Sequence, residues 1–147
     1  MCRKMAHLVS LADIVMPNVT EAGILTGTDY REKWSEKELL LLAEKIAQMG
    51  PERVVITGIQ QKSYVANFCY EKGKDYELIR TKKIGSARPG TGDIFSAIIA
   101  ADAVNQVEFT QSVRKASHFI RRCIEKSIEM GLPLEDGVCF EEFLHTL

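Results

Sequence analysis

The tetrapeptide Val54-Val55-Ile56-Thr57 is a continuous β-branched run, and it constrains the fold more than any other stretch of the chain. A strand of this kind is stable when apolar side chains cover both of its faces. The rest of the chain supplies the cover as helices. Ser35 followed by Glu38 is a capping-box pattern, and the helix it opens places Leu39, Leu42, Ala43 and Ile46 on one stripe before Gly50-Pro51 stops it. The β-branched run is expected to end at Gly58. Residues 13–16 form a second buried strand, stopped by Pro17. Asn18 then opens a short helix that ends at Gly27. Strands are expected over 63–70 and 76–84, joined by the turn-forming Lys72-Gly73-Lys74-Asp75. A loop over 85–92 leads into a very apolar helix at 94–104. An amphipathic helix over about 110–130 follows, with Val113, Ala116, Phe119, Ile120, Cys123 and Ile128 turned to the core. A last short helix is expected over 140–147. Strands alternating with helices predict an α/β fold, a mainly parallel sheet with helices on both faces and one antiparallel hairpin.

Composition narrows the functional classes. The chain has 147 residues, enough for one domain with a sizeable core. Nineteen basic residues against twenty acidic ones give a net charge of −1, which argues against a nucleic-acid partner. No apolar run approaches the roughly 20 residues of a membrane helix. Cys2, Cys69, Cys123 and Cys139 are scattered, with no C-x-x-C pair, and read as reduced thiols. A cytoplasmic protein is the expectation.

Three polar segments lie at strand or loop ends. Gly90-Thr91-Gly92-Asp93 precedes the apolar helix. Two glycines spaced by one residue let the backbone approach a ligand, and the N–H groups of a helix start favour an anion. A carboxylate in the same turn could serve as a base beside a phosphoryl group. The same residues could equally be a helix N-terminus, with Thr91 or Asp93 as its cap. Asn18 and Glu21 follow a strand end, where open α/β sheets bind ligands; a metal-and-phosphate role and a simple cap both fit them. Thr57-Gly58 offers a hydroxyl and a backbone N–H, or is a plain strand exit.

Together these residues resemble the ribokinase-like superfamily of ATP-dependent small-molecule kinases, with its N-x-x-E and G-T-G-D motifs. The stretches Ala12-Asp13-Ile14-Val15-Met16-Pro17-Asn18-Val19-Thr20-Glu21-Ala22, Val54-Val55-Ile56-Thr57-Gly58 and Pro89-Gly90-Thr91-Gly92-Asp93-Ile94-Phe95-Ser96-Ala97 are similar to the pyridoxal kinase branch. The resemblance implies a three-layer α/β/α fold and phosphorylation of the 5′-hydroxymethyl group of pyridoxal, pyridoxine or pyridoxamine. Asp93 would be the base, and the N–H groups of Gly90, Thr91 and Gly92 would form the anion hole. Thr91 would also touch ATP, and Gly92 would lie beside the substrate. Asn18 would contact ATP phosphates, Glu21 would hold Mg²⁺, and Thr57 and Gly58 would match the nucleotide-binding strand end. Lys82, Lys83 and Ile84 fall where the family lines the nucleotide site, although a solvated strand end also accounts for the two lysines. ATP is the implied phosphoryl donor and Mg²⁺ the implied cofactor, with a monovalent cation as a further candidate.

Family members are about twice as long as this chain. Residues 1–147 therefore correspond to a single partial domain, the C-terminal nucleotide-binding half, with nothing matching the N-terminal half that carries most of the vitamin pocket. The chain alone is expected to phosphorylate pyridoxal poorly or not at all, and to expose a sheet edge through which it pairs with itself or a partner. Met16 stands where the family often has a phosphate-contacting threonine. Hydroxymethylpyrimidine kinase is the close rival; that family usually carries cysteine at the position of Asp93. A non-catalytic nucleotide-binding or interaction fragment is the rival of another class. His118 and His145 lack partners at metal spacing, and Arg121-Arg122 with Lys126 reads as a solvated helix face. Trp34 and Tyr30 are expected to pack the connection between the first two of the helices placed above.

Overall fold

The computed structural model describes residues 2–29, 31 and 33–147, and the side chains from residue 4 onward among these. Tyr30 lies outside the described residues. The chain divides into two compact units: one comprises residues up to Gln61 together with Val65–Arg80, the other Lys62–Tyr64 with Thr81–Leu147.

The first unit holds helix α1 (Cys2–Ser10), strand β1 (Ile14–Val15), helices α2 (Val19–Thr26) and α3 (Glu36–Ala47), strand β2 (Arg53–Gln60), and most of strands β3 (Tyr64–Glu71) and β4 (Glu77–Lys82). The sheet order is β1-β2-β3-β4. β1 pairs with β2 in parallel, whereas β2 and β3 run antiparallel. The α/β fold class holds, and the predicted hairpin is β3–β4; among the described strands, however, parallel pairing is confined to the β1–β2 edge. Local chemistry explains the helices. Ser35 caps α3, with the Glu38 carboxylate accepting from the Ser35 N–H at 2.9 Å. The predicted stripe Leu39, Leu42, Ala43 and Ile46 is buried against β2 and α2.

Val54, Val55 and Ile56 are each fully buried. Successive side chains of a strand point to opposite faces, so β2 is covered on both, as its composition requires. Gly58 does not end the strand. It sits at a register shift between Ile56 and Ile59, and pairing resumes at Ile59 opposite Ala66. Its φ of 70° supplies the left-handed residue that such a bulge accepts most readily from glycine.

Glu71, at the end of β3, receives the Arg53 guanidinium at 3.1 Å and the Lys74 ammonium at 2.9 Å. Burial opposes ionisation of this carboxyl, but the hydrogen bonds from Lys74 and Arg53 outweigh it and hold the group below its ordinary value of 4.5. A carboxyl shifted down stabilises the fold above that ordinary value, and the contribution is lost as pH falls through the folded-state value. The difference in melting temperature between the natural chain and Glu71→Gln is therefore expected to be largest near neutrality and to close towards pH 3. A difference that stays constant over pH 3–7 would contradict this.

The second unit is built on helices α4 (Thr91–Val104) and α5 (Phe109–Glu129), which pack on each other, with 3-10 turns at Leu134–Asp136 and Glu141–Thr146. The last of these replaces the helix expected over 140–147. The buried carboxylate of Asp102 in α4 accepts from Ser112 Oγ at 2.7 Å and Lys115 Nζ at 2.5 Å in α5. Val113, Ala116, Phe119 and Cys123 form the buried face of α5 as expected, and Ile120 is half-buried. Ile128 is not in the core: it is 47% exposed, because Ser127 takes the buried position four residues after Cys123. Ser127 is satisfied there, donating to the Cys123 carbonyl at 2.7 Å and accepting from the Cys139 N–H at 2.8 Å. Burial pushes the Cys123 thiol up to about 11, so it stays protonated at neutral pH. No helix among the described residues is long and apolar enough to cross a membrane.

Candidate functional site

Four of the sequence-predicted residues meet where β1 ends beside the bulge of β2. Asn18 forms a parallel bridge with Thr57, and the Thr57 N–H donates to the Pro17 carbonyl at 2.9 Å. This pairing extends the two-residue β1 and places the start of α2 beside the end of the buried half of β2. Asn18 is the N-cap of α2. Its Oδ1 accepts from the Glu21 N–H at 2.9 Å, and the Glu21 carboxylate accepts from the Asn18 N–H at 2.8 Å. The cap is thus formed in full, and both side chains remain exposed. The hydroxyl and amide expected to be open at Thr57-Gly58 are engaged: Thr57 Oγ1 donates to the Pro17 carbonyl at 3.4 Å, and the Gly58 N–H donates to Asn67 Oδ1 at 3.3 Å. The bulge turns the Gly58 amide towards β3, where Asn67 stands.

A single exposed carboxylate at the start of α2 suits Mg²⁺, which keeps several waters and binds through one or two carboxylates plus substrate phosphates. The described residues contain no group of three or more metal-binding side chains, so an all-protein metal cage is not what this end of the sheet offers.

The second unit assembles the other group. Gly90 is the N-cap of α4 with φ 79°, and it makes no side-chain cap. Neither Thr91 nor Asp93 caps the helix, in contrast to the cap reading of the sequence. Thr91 instead donates its hydroxyl to the Arg88 carbonyl at 3.1 Å. The N–H groups of Thr91, Gly92 and Asp93 fall in the first turn, where helix geometry provides no carbonyl partner. Asp93 is exposed and has no hydrogen-bond or ion-pair partner among the described residues. A left-handed Gly90, first-turn amides without helical partners and an exposed carboxylate form an arrangement able to hold an oxyanion beside a base.

Arg88 holds this loop in place, and sequence reasoning missed it. The residue is 7% exposed. Its guanidinium donates to the carbonyls of Pro133 and Gly137, both at 2.8 Å, and of Leu132 at 2.9 Å. In the sequence, a lone arginine between Gly85 and Pro89 reads as a solvated loop cation, and only the fold brings three carbonyls to it. Lys82 and Lys83 are exposed at the end of β4, the Lys83 N–H donating to the Ser63 carbonyl at 3.1 Å, and Ile84 is half-buried. His118 and His145 are exposed. Arg121 and Arg122 are half-buried rather than solvated, paired with Glu125 and stacked on Phe143 at 4.4 Å respectively.

Comparison with known proteins gives these two groups a context. A hydroxymethylpyrimidine/phosphomethylpyrimidine kinase of Aquifex aeolicus (strain VF5) is 28% identical to the chain, over 86% of this chain and 49% of its own. The pyridoxal kinase of Sus scrofa is 31% identical, over 80% of this chain and 41% of its own. The chain thus spans less than half the length of these curated relatives. A solved structure of a putative phosphomethylpyrimidine kinase from Bacteroides thetaiotaomicron superposes with TM-score 0.93 and 25% identity, covering 99% of this chain and 51% of that one. Another is the Staphylococcus aureus pyridoxal kinase in complex with AMP-PCP, with TM-score 0.75 and 25% identity, covering 84% of this chain and 46% of that one. The same kinase has also been solved in complex with pyridoxal. Residues 1–136 match the family described as phosphomethylpyrimidine kinase, and the chain belongs to that family.

Proposed function

We propose that this chain is the nucleotide-binding part of a kinase that transfers the γ-phosphoryl group of ATP to the 5′-hydroxymethyl group of pyridoxal, pyridoxine or pyridoxamine. The observation that carries this reading is the start of α4, where an unpartnered Asp93 carboxylate sits in the same turn as the first-turn amides. In this reading Asp93 takes the proton of the substrate hydroxyl as its oxygen attacks the γ-phosphorus. The N–H groups of Gly90, Thr91 and Gly92 hold the equatorial phosphoryl oxygens, and the α4 dipole, equivalent to roughly half a positive charge, favours the same anion.

Asn18 and Glu21 serve the phosphate chain and Mg²⁺. Glu21 Oε2 accepts from the Asn18 backbone N–H, and the carboxylate would hold the ion through water. Bound with the nucleotide, Mg²⁺ would neutralise charge that develops on the leaving phosphate oxygens. Thr57, Gly58, Lys82, Lys83 and Ile84 line the nucleotide in this reading, and a monovalent cation is a further candidate beside it. The nucleotide reading is supported by the AMP-PCP complex of the Staphylococcus aureus kinase.

The matching family and the Aquifex aeolicus relative favour a second reading, a hydroxymethylpyrimidine kinase. The residue at position 93 separates the two, because aspartate there fits the B6 branch and cysteine the pyrimidine branch. ADP release with Mg-ATP and each of the three B6 vitamers, set against hydroxymethylpyrimidine, tests the choice. A B6 vitamer is expected to be preferred, and preference for the pyrimidine would replace the first reading with the second.

A further inference from the structure

Arg88 carries a charge that its part in holding the loop does not account for. Its three hydrogen bonds among the described residues all go to backbone carbonyls, those of Leu132, Pro133 and Gly137, and no carboxylate pairs with it there. Glu135 and Asp136 lie in the turn between those acceptors, but both are exposed. The guanidinium is a permanent cation, so a positive charge is buried here and met by dipoles alone. Taking a charge out of water is costly, and carbonyl dipoles leave its sign uncancelled. Such a charge acts on its surroundings more strongly, and is screened less by salt, than one in water.

Two contacts tie that charge to the turn ahead of α4. The Thr91 hydroxyl donates to the Arg88 carbonyl at 3.1 Å, so the residue that carries the guanidinium also anchors the first residue of the helix. Gly137, whose carbonyl receives the guanidinium at 2.8 Å, lies against the same loop. A Cβ added to it would stand 3.2 Å from the Pro89 carbonyl, and its φ of 80° is one that glycine adopts without strain. Residues 132–137 and 88–91 are thus tied together around an uncompensated cation.

We propose that Arg88 is a positioning residue for a phosphoryl group held at the Gly90–Asp93 turn. It acts without touching that group: the buried charge favours an anion at the turn, and the carbonyl clamp fixes the backbone that receives it. The proposal rests on the kinase reading in naming the γ-phosphoryl of ATP as that group; inorganic phosphate is the simpler source of the same chemistry.

The experiment measures binding of Mg-ATP, Mg-ADP and inorganic phosphate by calorimetry to the full chain, to Arg88→Lys and to Arg88→Gln. In the kinase reading ATP brings a γ-phosphoryl group to the turn and ADP does not. The ratio of the two affinities therefore reports on the turn and is insensitive to a general loss of folded protein. Arg88→Gln keeps a donor and removes the charge, and is expected to lower the preference for ATP over ADP by about tenfold. Arg88→Lys keeps the charge and should retain most of the preference despite its poorer hydrogen bonding. Because both variants lose carbonyl partners, a measurement on the natural chain accompanies them. Hydrogen exchange should slow over residues 131–138 as well as 88–95 with ATP, and not with ADP. Unchanged preference in Arg88→Gln, or ATP protection confined to 88–95, overturns the proposal and leaves the kinase reading standing. Arg88-dependent binding of inorganic phosphate without binding of either nucleotide supports the proposal and removes the kinase reading. Equal affinity of the natural chain for the two nucleotides, or binding of none of the three probes, overturns both.

Discussion

Asp93→Asn is expected to leave ATP affinity within about twofold of the natural chain and to lower pyridoxal-dependent ADP release by about 10²–10⁴-fold, the contribution of a positioned general base. The structure indicates why the fold should survive the change. Asp93 is exposed, it has no side-chain partner among the described residues, and asparagine has the same shape. The stability cost is limited to its interaction with the α4 dipole, about 0.3–1 kcal/mol for an exposed first-turn acid. Calorimetric titration with Mg-ATP and a coupled ADP assay on the two proteins separate binding from chemistry. Unchanged ADP release would remove Asp93 from the base role.

Arg88→Ala is expected to produce the largest loss of stability of the substitutions considered, about 3 kcal/mol or more. Removal of the guanidinium strands three carbonyls, those of Leu132, Pro133 and Gly137, at a site where the arginine is 7% exposed. Hydrogen bonds from a charged donor contribute roughly 1.5–3 kcal/mol each, and buried acceptors left unpaired add a desolvation cost. Arg88→Lys keeps the charge but replaces a planar fork with a point donor, so it should recover only part of the loss. Denaturant unfolding followed by circular dichroism measures both variants. Hydrogen exchange should rise over residues 85–95 and 131–138, because Arg88 ties these segments together and the Thr91 hydroxyl is anchored on the Arg88 carbonyl. A loss below about 1 kcal/mol would show that these carbonyls find water or other donors.

Local chemistry made much of the fold legible. The capping boxes at Asn18/Glu21 and Ser35/Glu38 are contained within four consecutive residues each, and both form as their sequences suggest. The buried stripe of α3 follows from helical spacing, and the Lys72–Asp75 turn from its glycine. Errors arose where neighbours distant in sequence decide the outcome. Gly58 looked like a strand end because glycine ends many strands, yet pairing with β3 carries the chain through it as a bulge. Ile128 looked like a core residue by type, but the stripe set by Cys123 passes through Ser127, whose hydroxyl is satisfied by partners that only folding supplies.

The candidate site divides in the same way. The Gly90–Asp93 turn was recognisable as a helix start because such a start is written in consecutive residues. The availability of Thr57-Gly58 was misjudged, since the Pro17 carbonyl is 40 residues from Thr57 and Asn67 is 9 from Gly58. Arg88 gave no sequence signal, because its significance depends on what surrounds it. A carbonyl triad 44–49 residues away makes a loop arginine structural.

The sequence by itself determined the helix caps, the α/β class through the doubly covered Val54-Val55-Ile56 run, and the phosphate-suited turn ahead of α4. Those features depend on backbone preferences and side-chain periodicities that act within a few residues. The tertiary structure alone decided which polar groups are already engaged and that the Arg88 cation is buried. Hydrogen-bond satisfaction and burial are properties of residues brought together by the fold, and no short window of sequence contains both partners.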